Sequence, residues 1–183
     1  MDVMEFRVLG PLEVVGPQGL VEIRSARQRA ILAVLVLHAG ETVSIDRLID
    51  EVWGEDPPPS AQHGLGVHVA GLRRALGAEW IETQPNGYRL RAAGSDVDLR
   101  RFEGLVAAAD RASADHDPLA AAAGYREALA LWRGPALGDL AAGPTAQADR
   151  TRLDERRAFA VDGGSTPTLP GAATWTSSRT CAA

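Results

Sequence analysis

The chain has 183 residues, 45% of them apolar, and a formal charge of −5. That length suits one domain and a small second one, and the apolar share rules out wholesale disorder. No stretch approaches the roughly 18–20 apolar residues that cross a bilayer, and a single cysteine, Cys181, excludes a disulfide framework or a cysteine-based zinc site.

The N-terminus "MDVMEFRVLGPLEV" lacks the basic-then-apolar order of a signal peptide, so a soluble cytoplasmic chain is expected. All 19 positive charges are arginine. Net acidity runs against nucleic-acid binding, because phosphate neutralisation normally shows as a basic excess. Residues 1–95 hold 9 Arg against 12 Asp and Glu, so any DNA-facing surface must be a local patch.

The first 23 residues read as short strands. "EFRVLG" alternates Phe6 and Val8 with other residues, "PLEVV" follows a Gly-Pro break, and "LVEI" follows "GPQG". Turn signals between β-rich runs predict a small antiparallel meander. The period then changes. Ala30, Ala33, Val34 and Leu37 recur at helical spacing, widened by Ile31 and Leu35, which predicts a helix from about Ser25 to His38 with Gly40 as its stop. Ser44 is the candidate N-cap of a second helix with Ile45, Leu48, Ile49 and Val52 on its apolar face. "WGEDPPPS" ends it, because consecutive prolines cannot continue a helix.

Ser60 is the candidate cap of a third helix, in which Leu65, Val69, Leu72 and Leu76 share one side. His63, Val67, Ala70 and Arg74 lie opposite, flanked by Gly66, Gly71 and Arg73. Gly64, Gly66 and Gly71 are unexpected there, since each interior glycine costs a helix roughly 1 kcal/mol relative to alanine. "WIET" and "YRLR" around "QPNG" then give a hairpin signal. Residues 1–95 therefore read as an α+β winged helix-turn-helix: an N-terminal antiparallel sheet, three helices and a C-terminal wing hairpin. Pattern alone leaves open an ordinary α+β domain whose third helix simply shows a polar face.

In the second half, Leu99, Phe102, Val106 and Ala109 form one stripe. Ala121, Tyr125, Ala128 and Trp132 form another after a Pro118 start signal, predicting a helical hairpin from Leu99 to Trp132. "TAQADRTRLDERRAFA" reads as a third helix. Residues 163–183, "GGSTPTLPGAATWTSSRTCAA", carry one charge and are expected to be disordered.

The blocks "FRVLGPLEV", "RSARQRAILAVLVLHAGETVSIDRLIDEVWGEDPPPSA", "VHVAGLRRALG" and "PNGYRL" resemble the DNA-binding domain of the Streptomyces antibiotic regulatory protein (SARP, or AfsR) family, an OmpR/PhoB-type winged helix. "VDLRRFEGLVAAA" and "YREALALWRGPALGDL" resemble the start of the bacterial transcriptional activation domain (BTAD), a bundle similar to tetratricopeptide (TPR) repeats. The likeness runs in order from about Glu5 to Arg157. It implies a winged-helix domain at 1–95, a partial, incomplete all-α TPR-like segment at 96–162, and a tail at 163–183 unlike the family. A truncated or frameshifted product and a naturally short regulator are both readings of that tail. The resemblance also implies a transcriptional activator, commonly of secondary-metabolite genes such as those for antibiotics. Such a regulator binds direct repeats near promoters, as a homodimer or as single copies, and recruits RNA polymerase.

Carried over by position, the resemblance places His63, Val67, Gly71 and Arg74 in the major groove, within residues 60–77, and His68 and Arg73 at phosphates. It gives Trp53 an indole N–H donated to a phosphate and puts Arg89, on the wing at 80–91, in the minor groove. Valine can pack a thymine methyl, and arginine can pair bidentately with guanine. Trp53 also reads as a core residue, Arg89 as a solvated strand charge, and Arg27 and Arg29 as surface charges at a helix start. Gly71 stands where the family carries a longer polar side chain. That implies weakened or altered specificity, with close approach of backbone to the groove as the alternative. Glu55 and Asp56 occupy the loop that in the wider family touches the polymerase sigma or alpha subunit, and they read equally as part of a rigid connector.

No cofactor, metal or membrane partner is expected. There is no phosphate-binding glycine loop and no His-Glu-x-x-His motif, and histidines 38, 63, 68 and 116 have no zinc spacing, so an enzyme is not expected. The competing reading is a protein-interaction module whose DNA binding has weakened, supported by Gly71 and the acidity of residues 1–95.

Overall fold

The computed structural model describes residues 4–140 and 143–164, apart from the side chains of Ser95 and Gly164. The meander forms where its turn signals fall. Strands β1 (Glu5–Arg7), β2 (Glu13–Gly16) and β3 (Gly19–Leu20) pair antiparallel in that order, with Phe6 opposite Val14. Both of these side chains are buried, while Arg7 on the other face reaches Glu5 and Glu13.

Three helices follow: α1 (Ala26–Leu37), α2 (Ile45–Trp53) and α3 (Ala61–Leu76). Ser25 caps α1 by accepting from Gln28 N, and Ser44 caps α2 by accepting from Arg47 N at 3.2 Å. Ser60 precedes α3 without a capping bond from its side chain. That departs from the expectation. Leu65, Val69, Leu72 and Leu76 are buried, as their spacing requires. A short 3₁₀ turn leads into the hairpin β5 (Ile81–Gln84) and β6 (Gly87–Leu90), joined by Pro85 and Asn86.

One strand escapes sequence reading: β4 (Thr42–Ser44). Three residues cannot display an alternation, and β4 is defined by its partner, with Val43 opposite Tyr88 of β6. The wing is therefore a three-stranded sheet in the order β4-β6-β5.

Helices α4 (Asp98–Ala114) and α5 (Pro118–Leu129) make the expected helical hairpin. Helix α6 (Pro144–Gly164) packs on α5 and also on α1 and α2. It runs two residues into the segment read as tail. Residues 165–183, and the expectation of disorder there, lie outside the described residues. The architecture is the α+β winged helix plus helical segment that the sequence predicts.

The two segments share one core. Phe6, Leu9, Ile31, Leu65, Phe102 and Leu137 belong to a single buried cluster. Every residue of α1 from Ile31 to Leu37 is buried, the pattern of a helix covered on all sides. Buried backbone donors need acceptors, and carboxylates supply them across the junction. Asp98 accepts from Val8 N at 2.9 Å and Leu9 N at 3.1 Å, and Asp139 accepts from Leu12 N at 2.9 Å. In the other direction Glu51 of α2 accepts from Gly143, Thr145 and Ala146 at the start of α6.

Candidate nucleic-acid interface

With its leucine side turned inward, α3 presents His63, Val67, Ala70 and Arg74 to solvent. At 3.6 residues per turn these four lie within about 60° of arc. Val67 is 54% exposed. The Arg74 guanidinium makes only a 3.4 Å contact to Ala70 O within its own helix, so its donors remain free for a ligand.

The flank of α3 facing the wing carries Arg73. Its Nε donates to Ile81 O at 2.9 Å, its Nη2 donates to Thr83 Oγ1 at 2.8 Å, and its guanidinium lies 5.9 Å from the Tyr88 ring centroid. Arg73, expected at a phosphate, is spent on holding the wing to α3. The two residues are neighbours in sequence but sit 100° apart on the helix, which gives them different roles.

Arg89 is also engaged. Its Nε and Nη2 donate to Glu82 Oε2 at 3.0 and 2.5 Å, and Arg91 reaches the other Glu82 oxygen at 3.2 Å. The hydrogen bond from Arg89 holds the Glu82 carboxyl below its usual range. Glu82 lies directly opposite Arg89 in the hairpin, and side chains alternate along a strand, so Arg89 faces away from Tyr88 and hence from Arg73. Arg89, expected in the minor groove, thus sits between strands in an ion pair with its side chain 40% exposed.

The other flank of α3 meets α1 and α2. Trp53, half-buried at the end of α2, lies 6.2 Å from the His68 ring and carries the Arg27 guanidinium 5.6 Å from its centroid. Burial, with the nearby Arg27 charge, pushes the His68 pKa down. His68, expected at a phosphate, is packed beside Trp53, where protonation is disfavoured.

This flank also accounts for two of the three glycines. A Cβ on Gly64 would sit 3.3 Å from Trp53 Cζ2, and one on Gly71 would run into the amide end of Gln28. Gly64 leaves room for the Trp53 ring against α3, and Gly71 leaves room for the Gln28 side chain where it now lies. Gly71 thus faces α1 and does not occupy the centre of the exposed face, which corrects its placement in the groove. Gly66 has open space around it and no packing reason of its own. Gln28 belongs to this region too, and nothing in the sequence signals it, because its contact with Gly71 is purely tertiary. Glu55 and Asp56 are exposed in the loop between α2 and α3.

Charge is distributed unevenly. Six of the nine arginines in residues 1–95 are paired to carboxylates: Arg7, Arg24, Arg29, Arg47, Arg89 and Arg91. The remaining three, Arg27, Arg73 and Arg74, have no carboxylate partner among the described residues, and all three border α3. Within residues 1–95, acidic overall, the arginines without a carboxylate partner thus lie on or beside one helix.

Residues 22–90 match the family described as "Transcriptional regulatory protein, C terminal", and residues 97–164 match "Bacterial transcriptional activator domain". The regulatory protein AfsR of Streptomyces griseus is 37% identical over 156 residues, covering 85% of this chain and 16% of AfsR. The regulatory protein DnrI of Streptomyces peucetius is 34% identical over 165 residues, covering 84% of this chain and 61% of DnrI. The chain is a SARP/AfsR-like regulator. It spans only part of the length of these relatives. Mycobacterium tuberculosis EmbR, solved in complex with a low-affinity phosphopeptide, superposes with a TM-score of 0.84 at 31% identity, over 90% of this chain and 45% of that one. Both matched families are described as parts of transcriptional regulators. Among the described residues, no helix is long and apolar enough to cross a membrane.

Proposed function

We propose that this SARP-like chain is a sequence-specific activator that lays α3 in the major groove of duplex DNA. His63, Val67 and Arg74 read base edges there, and Ala70 allows close approach beside them. Val67 packs against a thymine methyl, and Arg74 pairs with a guanine. The chain occupies direct repeats near promoters as adjacent copies, and Glu55 and Asp56 form an acidic contact for RNA polymerase. By resemblance, its targets are secondary-metabolite genes.

The observation that carries this reading is the charge distribution of the winged-helix segment: within residues 1–95 the arginines left without carboxylates lie on or beside α3. Phosphate neutralisation needs such a local patch even on an acidic protein.

The test selects a duplex from a randomised library and titrates it at several salt concentrations. Affinity should fall steeply with salt, and Arg74→Ala should lose ~1–3 kcal/mol of discrimination between the selected duplex and a random one. Binding insensitive to salt, or no selected duplex, would overturn the proposal and leave the helical segment as the functional part.

A further inference from the structure

A helix of about 10 Å diameter in a major groove about 12 Å wide has a row of phosphates along each flank. The flank of α3 that faces the wing carries Arg73, whose donors are already used on Ile81 and Thr83. The flank that faces α1 carries a cation whose donors are not used. Arg27 is exposed, makes no hydrogen bond or ion pair among the described residues, and lies over the Trp53 ring at 5.6 Å from the centroid. Its neighbour Arg24 shows the contrast, with its guanidinium 2.8 Å from Glu22.

From this we infer that Arg27, stacked on Trp53, is the seat of one DNA phosphodiester on the α1 side of α3. The inference rests on the reading of α3 as a groove-binding helix and adds the contact that fixes its register. Stacking on the indole holds the guanidinium in place before DNA arrives, so less freedom is lost on binding, and its edge N–H groups stay available for a fork to two phosphate oxygens. The Trp53 ring is itself positioned, wedged between Gly64 and the His68 ring. Protonation of His68 is disfavoured by burial and by the Arg27 charge, so Arg27 is the cation on this flank. A phosphate contact carries no base information, so its effect is uniform across sequences.

The experiment titrates the full chain with a duplex of about 30 base pairs, three helical turns, recovered by selection, and with a random duplex of the same length. Arg27→Ala should weaken both duplexes by the same factor and flatten the salt slope by about one. Arg27→Lys should keep most of that slope, because the charge remains. Arg24→Ala should change neither affinity nor slope. An Arg27→Ala slope equal to wild type, with Arg74→Ala still losing discrimination, would overturn this inference and leave the proposed function standing. Salt-insensitive binding by the wild type would overturn both. The melting temperature of Arg27→Ala should fall by no more than about 4 °C, the loss of its stacking on Trp53, and a larger fall would assign it a structural role instead.

Discussion

Replacing Glu51 should detach the start of α6 from α2. The residue is 6% exposed, and its carboxylate accepts from Gly143 N at 2.9 Å, Thr145 N at 3.0 Å and Ala146 N at 3.2 Å. A helix begins with orphan N–H groups, normally met by an N-cap side chain from the preceding residue. Here Pro144 opens the helix without an N–H, and a carboxylate from a different helix satisfies the donors around it. Its negative charge also sits at the positive end of the α6 dipole. Gly143 permits the approach, since a Cβ there would come within 2.6 Å of Glu51 O.

Hydrogen bonds to a charged group contribute about 1.5–3 kcal/mol each, but three that share one carboxylate do not add fully. Losing all of them in Glu51→Ala should cost about 3 kcal/mol, a capping loss plus two buried donors left without partners. Glu51→Gln keeps one acceptor oxygen but turns an amide donor toward backbone donors, and should cost about 2 kcal/mol. For a chain of this size each kcal/mol moves the melting temperature by about 2–4 °C, so the alanine variant should melt about 6–12 °C lower. Calorimetry reads the melt, and hydrogen exchange should show Thr145 and Ala146 losing protection before α3 does. A Glu51→Ala protein melting within about 2 °C of wild type, with those amides still protected, would refute the reasoning.

Gly66→Ala should stabilise the chain by about 0.5–1 kcal/mol, read as a higher melting temperature, because its surroundings are open and alanine is the better helix former. Arg73→Ala should lower the melting temperature by freeing the wing from α3, with a loss of about 1–2 kcal/mol for its two bonds to neutral acceptors. Arg74→Ala should leave the melting temperature unchanged while weakening DNA binding. Asp149 lies 3.0 Å from His38 Nε2 and 3.8 Å from Arg47, and the His38 hydrogen bond holds its carboxyl below the ordinary 3.8. A depressed carboxylate contributes stability that is present above its unfolded value and lost as pH falls through its folded value. Asp149→Asn should therefore be less stable than wild type at neutral pH by about 1 kcal/mol. In denaturant melts that gap should close as pH drops below about 4.

Much of this was legible in the residues, for identifiable reasons. The leucine ridge of α3, the Pro-Asn turn of the wing and the stripes of α4 and α5 are local patterns, and local patterns survive packing. What was not legible came from contacts distant in sequence. Strand β4 exists through β6, and Gly71 is explained by Gln28, 43 positions earlier. Arg73 and Arg89 looked like free charges until the hairpin folded back on α3 and set Glu82 beside Arg89. Glu51 did leave a signal. It stands at the i+3 position from Leu48, beside Val52, on the face that α2 turns inward, and a carboxylate there must meet buried donors.

Those junction carboxylates also bear on how the proposed groove-binding helix and the activator-domain segment act together. Asp98 and Asp139 of the second segment take backbone donors from the first, and Glu51 of the first takes three from the second. Burial pushes the Asp98 carboxyl up against the pull of Val8 N, Leu9 N and Arg133, so the fold keeps this junction despite a charge that burial disfavours. Separating the segments would break these bonds and expose the apolar core they share, which makes it costly from either side. Helix α1, buried on every side of its last two turns, touches α3 and α6 alike. The placement of α6 relative to α3 is thus set by shared side chains and not by a tether. On the proposed reading of α3, the position of the activator-domain helices is fixed as soon as α3 enters a groove.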